Sequence, residues 1–286
     1  MSLARNESPS NLNHLNQLII SRTGTQQAAQ ILMRSLATVI VCQMLPVDAI
    51  LGNLKGAVKG GTAMKLRMGR TRARFSADLD MARHVDLEEF LDEFQSSLRD
   101  GWAGFVGRLV TKKPPKPLGV PSEYVMLPFE IKLTYKGKSW RTVEFELGAD
   151  EIGDTKEVEY VLSEEIREDL EALGFLNVKP IPLIPIHHQI AQKIHASTAS
   201  KSERAHDLVD LQLIARTYQI NYQLVRATCL RLFDYRRKHT WPPLVVANEG
   251  WGAVYEQARE DLDVISDLNE AIEWANGLIT RIDQSN

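Results

Sequence analysis

The chain has 286 residues, 44% apolar and 25% charged, and its 34 Lys and Arg against 37 Asp and Glu leave a net charge of -3. This is the composition of a folded globular protein, and its near balance of charge excludes nucleic-acid binding through a basic field around the whole molecule, leaving only local patches. The length suits one large domain or two of ordinary size.

The N-terminus "MSLARNESPSNLNHL" is polar and lacks the apolar core of a signal peptide. Residues 11 to 46 repeat apolar side chains at steps of three and four, which predicts helix with a break near Gly24 and a stop at Pro46. The longest apolar run, residues 28 to 51, is interrupted by Gln30, Arg34, Gln43 and Asp48, so no membrane partner and a cytoplasmic location are expected. Cys42 and Cys229, in "TVIVCQML" and "RATCLRLF", read as small core residues.

Val58 then precedes Lys59-Gly60-Gly61-Thr62, and an apolar helical pattern resumes at Ala63, Met64 and Leu66, so the glycines mark a strand-to-helix turn whose helix ends near Gly69. "ARFSADLDMAR" reads as a strand carrying Asp78 and Asp80 on one face, where two like charges at period two repel and call for a cation. Asp86 to Leu98 is an amphipathic helix capped by Asp86, and a Pro- and Lys-rich loop, "TKKPPKPLGVPSE", follows. "FEIKLTY" and "WRTVEFELG" are strands joined by a hairpin at Lys136-Gly137-Lys138. In the second strand Val143, Phe145 and Leu147 face one way, and Glu144 and Glu146 the other, so either glutamate offers a third carboxylate. From about Leu162 the pattern is mostly helical, interrupted by "VKPIPLIPIHHQ", with a soft domain boundary near residue 155 and no internal repeat.

Paired carboxylates on one strand with a third beside them suit Mg²⁺, which takes hard oxygen ligands and shares its shell with substrate phosphates. The glycine turn suits the triphosphate itself, through backbone N–H groups at a helix start and the Thr62 hydroxyl. Lys193 lies among Ile190, Ala191 and Ile194 on an amphipathic helix, where a lysine either reaches solvent or meets an anion. Asp207 and Asp210 are three apart on one helical face, with Arg204 placed to pair with either. His187, His188, His195 and His206 show no zinc-ligand spacing. Ser76, two residues before Asp78, is a candidate for modification, since a phosphate there would repel a triphosphate. Lys65, Arg67, Arg70, Arg72 and Arg74, then Lys112, Lys113 and Lys116, then Arg236, Arg237, Lys238 and Trp241 form basic stretches. With the aromatic ring among them, these suit a single-stranded RNA end.

The segments "VKGGTAMKL", "RFSADLD", "QIAQKIHA" and "RAHDLVDLQL", spread over most of the chain, resemble the AbiEii/AbiGii-type nucleotidyltransferase toxins, including the MenT-type toxins, of the polymerase-β-like superfamily. The resemblance implies an α/β (α+β), bilobed protein, with a nucleotidyltransferase core at residues 1–155 and a helical C-terminal lobe at 156–286. It implies Mg²⁺-dependent transfer of NMP from an NTP, a pyrimidine nucleotide, to the 3′ end of tRNA or another RNA. Aminoacylation would then be blocked until a cognate antitoxin intervenes. By position, Asp78 and Asp80 match the metal-binding pair, Glu146 rather than Glu144 the third carboxylate, and Lys193 and Asp210 the downstream catalytic residues. Lys59, Gly60, Gly61 and Thr62 match the phosphate turn, with Thr62 where many relatives have Ser, and Arg74 and Ser76 join the nucleotide-binding set. Two other readings share these residues: transfer to a small hydroxylated acceptor such as an aminoglycoside, and a non-catalytic module that binds RNA or a partner protein.

Overall fold

The structure, a computed structural model, describes residues 7–46, 55–76, 78–114 and 125–285. Lys116 and most of the Pro-rich loop fall outside the described residues. The chain divides into two compact units. The first comprises Met1–Arg70, Ser76–Asp150 and Val158–Leu183, and the second Thr71–Phe75, Glu151–Glu157 and Ile184–Asn286.

The first unit opens with helices α1 (Leu12–Thr23) and α2 (Gln26–Cys42). Gly24 ends α1 at φ 74, a left-handed conformation that costs glycine nothing, and Thr25 caps α2 by accepting from the Ala28 N–H, so the break falls where the sequence predicts it. Strand β1 (Gly56–Lys59) runs into α3 (Gly60–Met68), and β2 (Leu79–Arg83) follows. Helix α4 (Leu87–Asp100) is capped by Asp86, which accepts from Glu88 N at 2.8 Å, and buries Phe90, Phe94 and Leu98 at four-residue intervals. Strands β3 (Phe105–Thr111), β4 (Leu127–Tyr135), β5 (Lys138–Ala149) and β6 (Glu159–Val161), helix α5 (Glu164–Ala172) and strand β7 (Ile181–Leu183) complete the unit. Between β4 and β5, Lys136 and Gly137 have φ of 45 and 77, the paired positive values of a two-residue hairpin turn.

The strands form one seven-stranded mixed sheet in the order β3-β4-β5-β2-β1-β7-β6, parallel at β5·β2 and β1·β7 and antiparallel elsewhere. Two sequence expectations change here. Asp78 lies just before β2 rather than in it, because ladder pairing begins at Leu79 opposite Phe145. The region after Leu162, read as mostly helical, returns a strand to the sheet: Pro182 sits within β7. The core packs Phe94 against Phe145 at 5.5 Å between ring centroids, with a second ring cluster of Phe105, Tyr135, Trp140 and Phe175.

The second unit is built on helices α6 (Ile186–Ser197), α7 (His206–Thr217), α8 (Tyr222–Arg236), α9 (Trp251–Arg259) and α10 (Leu268–Asp283). Trp251 is fully buried and donates its indole N–H to the Ser202 carbonyl at 2.5 Å, and Gln212 donates to the Tyr255 hydroxyl at 3.0 Å, so the largest polar rings of this core are satisfied. No described helix is long and apolar enough to cross a membrane.

Candidate active site

The candidate residues fall into two groups, one in each unit. In the first unit, β1 hands directly over to α3 at Gly60, whose φ of 66 needs glycine. The missing side chain makes room for a neighbour: a Cβ on Gly60 would sit 2.2 Å from Asp80 Oδ2. Strand register aligns the charged residues. Lys59 pairs with Asp80 across β1 and β2, and Asp80 with Glu146 across β2 and β5, so one row on one face runs cation, carboxylate, carboxylate. Glu144 is placed differently, 2.7 Å from Lys112 Nζ and opposite Glu130 on β4.

Asp78 is exposed, and Asp80 and Glu146 are half-buried. The buried Thr62 hydroxyl donates to the Asp78 carbonyl at 2.6 Å. Its proton ties α3 to the chain entering β2 and fixes where Asp78 stands. What remains at the turn for an anion is backbone N–H at the start of α3, where Lys59 as N-cap makes no side-chain cap. Among the described residues no group of three His, Cys, Asp or Glu is gathered tightly enough to hold an ion by itself. Ser76 is half-buried in this unit.

The cation run after the turn is not the open patch it resembles in sequence. Lys65 and Arg67 are buried on α3, and burial pushes the Lys65 ammonium down to about 8. Arg67 pairs with Glu159, and Arg70 lies 3.2 Å from Glu165. These pairs tie α3 and the chain just after it to β6 and α5 within the first unit.

In the second unit, Lys193 on α6 places Nζ 3.0 Å from Asp207 and 2.5 Å from Asp210, both on α7 and both fully buried. Arg74 donates Nε to both Asp210 oxygens, at 3.1 and 3.0 Å, and Arg204 donates to Asp207 at 2.9 Å. Lys193 has thus met two anions, and Arg74, expected at the nucleotide, is the partner of Asp210. Asp207, which the sequence places within reach of Arg204, is the second carboxylate on Lys193. Its three-residue spacing from Asp210 was the available signal that both would reach one cation. Burial by itself would raise the Asp207 carboxyl, but Lys193 and Arg204 outweigh it and hold the group below the usual carboxylate range. Burial pushes His206 down to about 4 against the pull of Asp207, so the imidazole is neutral near pH 7 and adds no charge. Arg74 and His206 also line a pocket of about 310 Å³ with Phe75, Val254, Gln257 and Glu260, so the cluster reaches solvent on one side.

Gly60 offers a direct test of the close approach. Gly60→Ala combines a backbone penalty with the clash on Asp80, whereas Gly137→Ala, at φ 77 with nothing within 4 Å, carries the backbone penalty alone. The first is expected to lower stability by at least about 1 kcal/mol more than the second, read from urea midpoints. Equal losses would remove Asp80 from contact with the turn.

Comparison with known proteins gives a consistent picture. A family model described as "Nucleotidyl transferase AbiEii toxin, Type IV TA system" matches residues 52–277. Among solved structures, the nucleotidyltransferase toxin MenT4 from Mycobacterium tuberculosis H37Rv superposes with a TM-score of 0.54 at 17% identity, covering 93% of this chain and 98% of that one. At that identity the likeness concerns the fold. No curated protein matches the chain in sequence.

Proposed function

The chain belongs to the AbiEii nucleotidyltransferase toxin family, and from that premise we propose that it transfers NMP from an NTP, a pyrimidine nucleotide, to the 3′ end of tRNA, with Mg²⁺ as cofactor and a cognate antitoxin as partner. The observation that carries this reading is the row Lys59, Asp80, Glu146 laid beside the glycine turn. The donor set fits the ion. Asp78, Asp80 and Glu146 offer hard oxygens, the last two in register on neighbouring strands, and such a set suits Mg²⁺, which completes its shell with waters and substrate phosphates. When bound, the ion neutralises the triphosphate and lowers the pKa of the attacking hydroxyl.

The chain's own residues do the rest. Backbone N–H groups at the start of α3 receive phosphate oxygens, and Lys59, with no ion pair among the described residues, adds a positive charge in register with Asp80. The RNA 3′-oxygen bonds to the α-phosphorus as the bond from that phosphorus to the α–β bridging oxygen breaks. Pyrophosphate leaves, and the hydroxyl proton passes to a carboxylate of the set. Thr62 positions Asp78 through its carbonyl. Lys193 and Asp210 enter as positioning residues, since Lys193 is buried with its ammonium turned to Asp207 and Asp210, an arrangement that fixes α6 against α7 and orients Arg74. Ser76 remains the candidate for modification in the same unit as Asp78.

Total tRNA incubated with each labelled NTP in turn tests the reading. Label at tRNA 3′ ends with one pyrimidine nucleotide, abolished by chelation of divalent ions, is the expected result. Label on a small hydroxylated compound with none on RNA would move the activity to that acceptor, and no label anywhere would sink catalysis.

A further inference from the structure

We propose that the second unit carries a pocket for one unpaired nucleotide of an RNA at the C-terminal end of α8. The inference rests on the RNA-acceptor reading above for the identity of its ligand. The pocket has a volume of about 600 Å³, within the range of about 300–1,000 Å³ in which small-molecule sites fall. It is lined by Phe233, Asp234, Arg237, Lys238, His239 and Trp241, among others.

Three kinds of chemistry meet there. Phe233, His239 and Trp241 form an aromatic wall, with Phe233 5.4 Å from Trp241 and 4.9 Å from His239, both edge-on. Its members are held: Trp241 Nε1 donates to Asp283 at 2.7 Å, His239 Nε2 lies 2.8 Å from the Thr198 hydroxyl, and Phe233 is buried. A rigid, half-buried indole can receive a base without first losing rotamer freedom. Arg237 and Lys238 are exposed at the rim, and among the described residues Lys238 makes no ion pair. The neighbouring Arg236 is excluded from this role, because Glu151 takes its guanidinium at 2.6 Å. Asp234, exposed on the same rim, supplies an acceptor for a ribose hydroxyl or a base amino group. An aromatic wall with a half-buried indole, two cations and one carboxylate acceptor match a ribonucleotide with its flanking phosphates. An acidic peptide would use the cations and leave the wall and the carboxylate without partners.

The test measures equilibrium binding of a single-stranded eight-nucleotide RNA to the full chain and requires no catalysis, so failure of the transferase reading leaves its result intact. Trp241→Ala is expected to weaken binding about tenfold or more, with Trp241→Phe retaining most of the affinity. Arg237→Ala combined with Lys238→Ala should reduce the slope of log affinity against log salt by about 1 to 1.5, as expected for two lost contacts to a single strand. Because Trp241 also anchors its loop to Asp283, this second variant, confined to exposed side chains, decides independently of any misfolding. Unchanged affinity and slope in the double variant would overturn the proposal. So would equal affinity for an abasic analogue of the same length, or equal competition by poly-glutamate of the same charge.

Discussion

Asp80→Asn is expected to lower nucleotide transfer by roughly 100- to 1,000-fold or more while leaving the fold intact. The side chain keeps its size, so no cavity opens and the space beneath Gly60 stays filled. What is lost is one negative charge from the row shared with Glu146, and with it a hard ligand whose replacement by an amide weakens any hold on Mg²⁺. Stability should change little and in either direction by small amounts, since the variant relieves repulsion from Glu146 and forfeits attraction to Lys59. Thermal unfolding and labelled-NTP transfer measured on one preparation check both halves, and growth arrest on expression should disappear with the activity. A melting temperature lowered by ten degrees or more would mark Asp80 as structural. Toxicity that survives the substitution would separate growth arrest from this chemistry.

Lys193→Ala is expected to fail differently, through the fold. The ammonium touches both Asp207 and Asp210, and both carboxylates are fully buried. Removing it leaves Arg204 beside Asp207 and Arg74 beside Asp210. Breaking a buried pair from one side typically costs about 3–5 kcal/mol where the remaining charge is left uncompensated, and with one arginine still on each carboxylate the loss falls toward the lower end of that range. Urea unfolding at pH 7 should register a loss of that order. The pH dependence has a definite sign. Asp207 in the folded chain titrates below its unfolded value of about 3.9, so its contribution is fully present above that pH and disappears as pH falls through the folded value. The gap between wild type and Lys193→Ala should therefore be widest near neutrality and shrink below about pH 4. An unchanged urea midpoint with a slowed reaction would instead put the Lys193 ammonium at the reacting phosphates.

Much of this protein was readable along the chain, wherever the determining physics is local. The break at Gly24, the Asp86 cap, the two-residue hairpin at Lys136 and Gly137, and the glycine turn at Gly60 all depend on residues within a few positions of one another. The same holds for the alternation that puts Glu144 and Glu146 on one side of β5. Strand β3 is not legible along the chain because Gly107 interrupts its alternation; that glycine makes room for the Leu98 side chain, which a Cβ would meet at 2.6 Å. Strands β6 and β7 span three residues each and draw their stability from partners rather than pattern. The resemblance points to Glu146 over Glu144, but only the tertiary structure decided that it aligns with Asp80, that Arg74 turns to Asp210, and that Lys193 meets two carboxylates. Each of these is a pairing between segments that the sequence holds apart, so propensity and periodicity, which act within a turn or a strand, carry no information about it. Sheet register and the desolvation of buried charge determine those pairings, and both exist only once the chain has closed on itself.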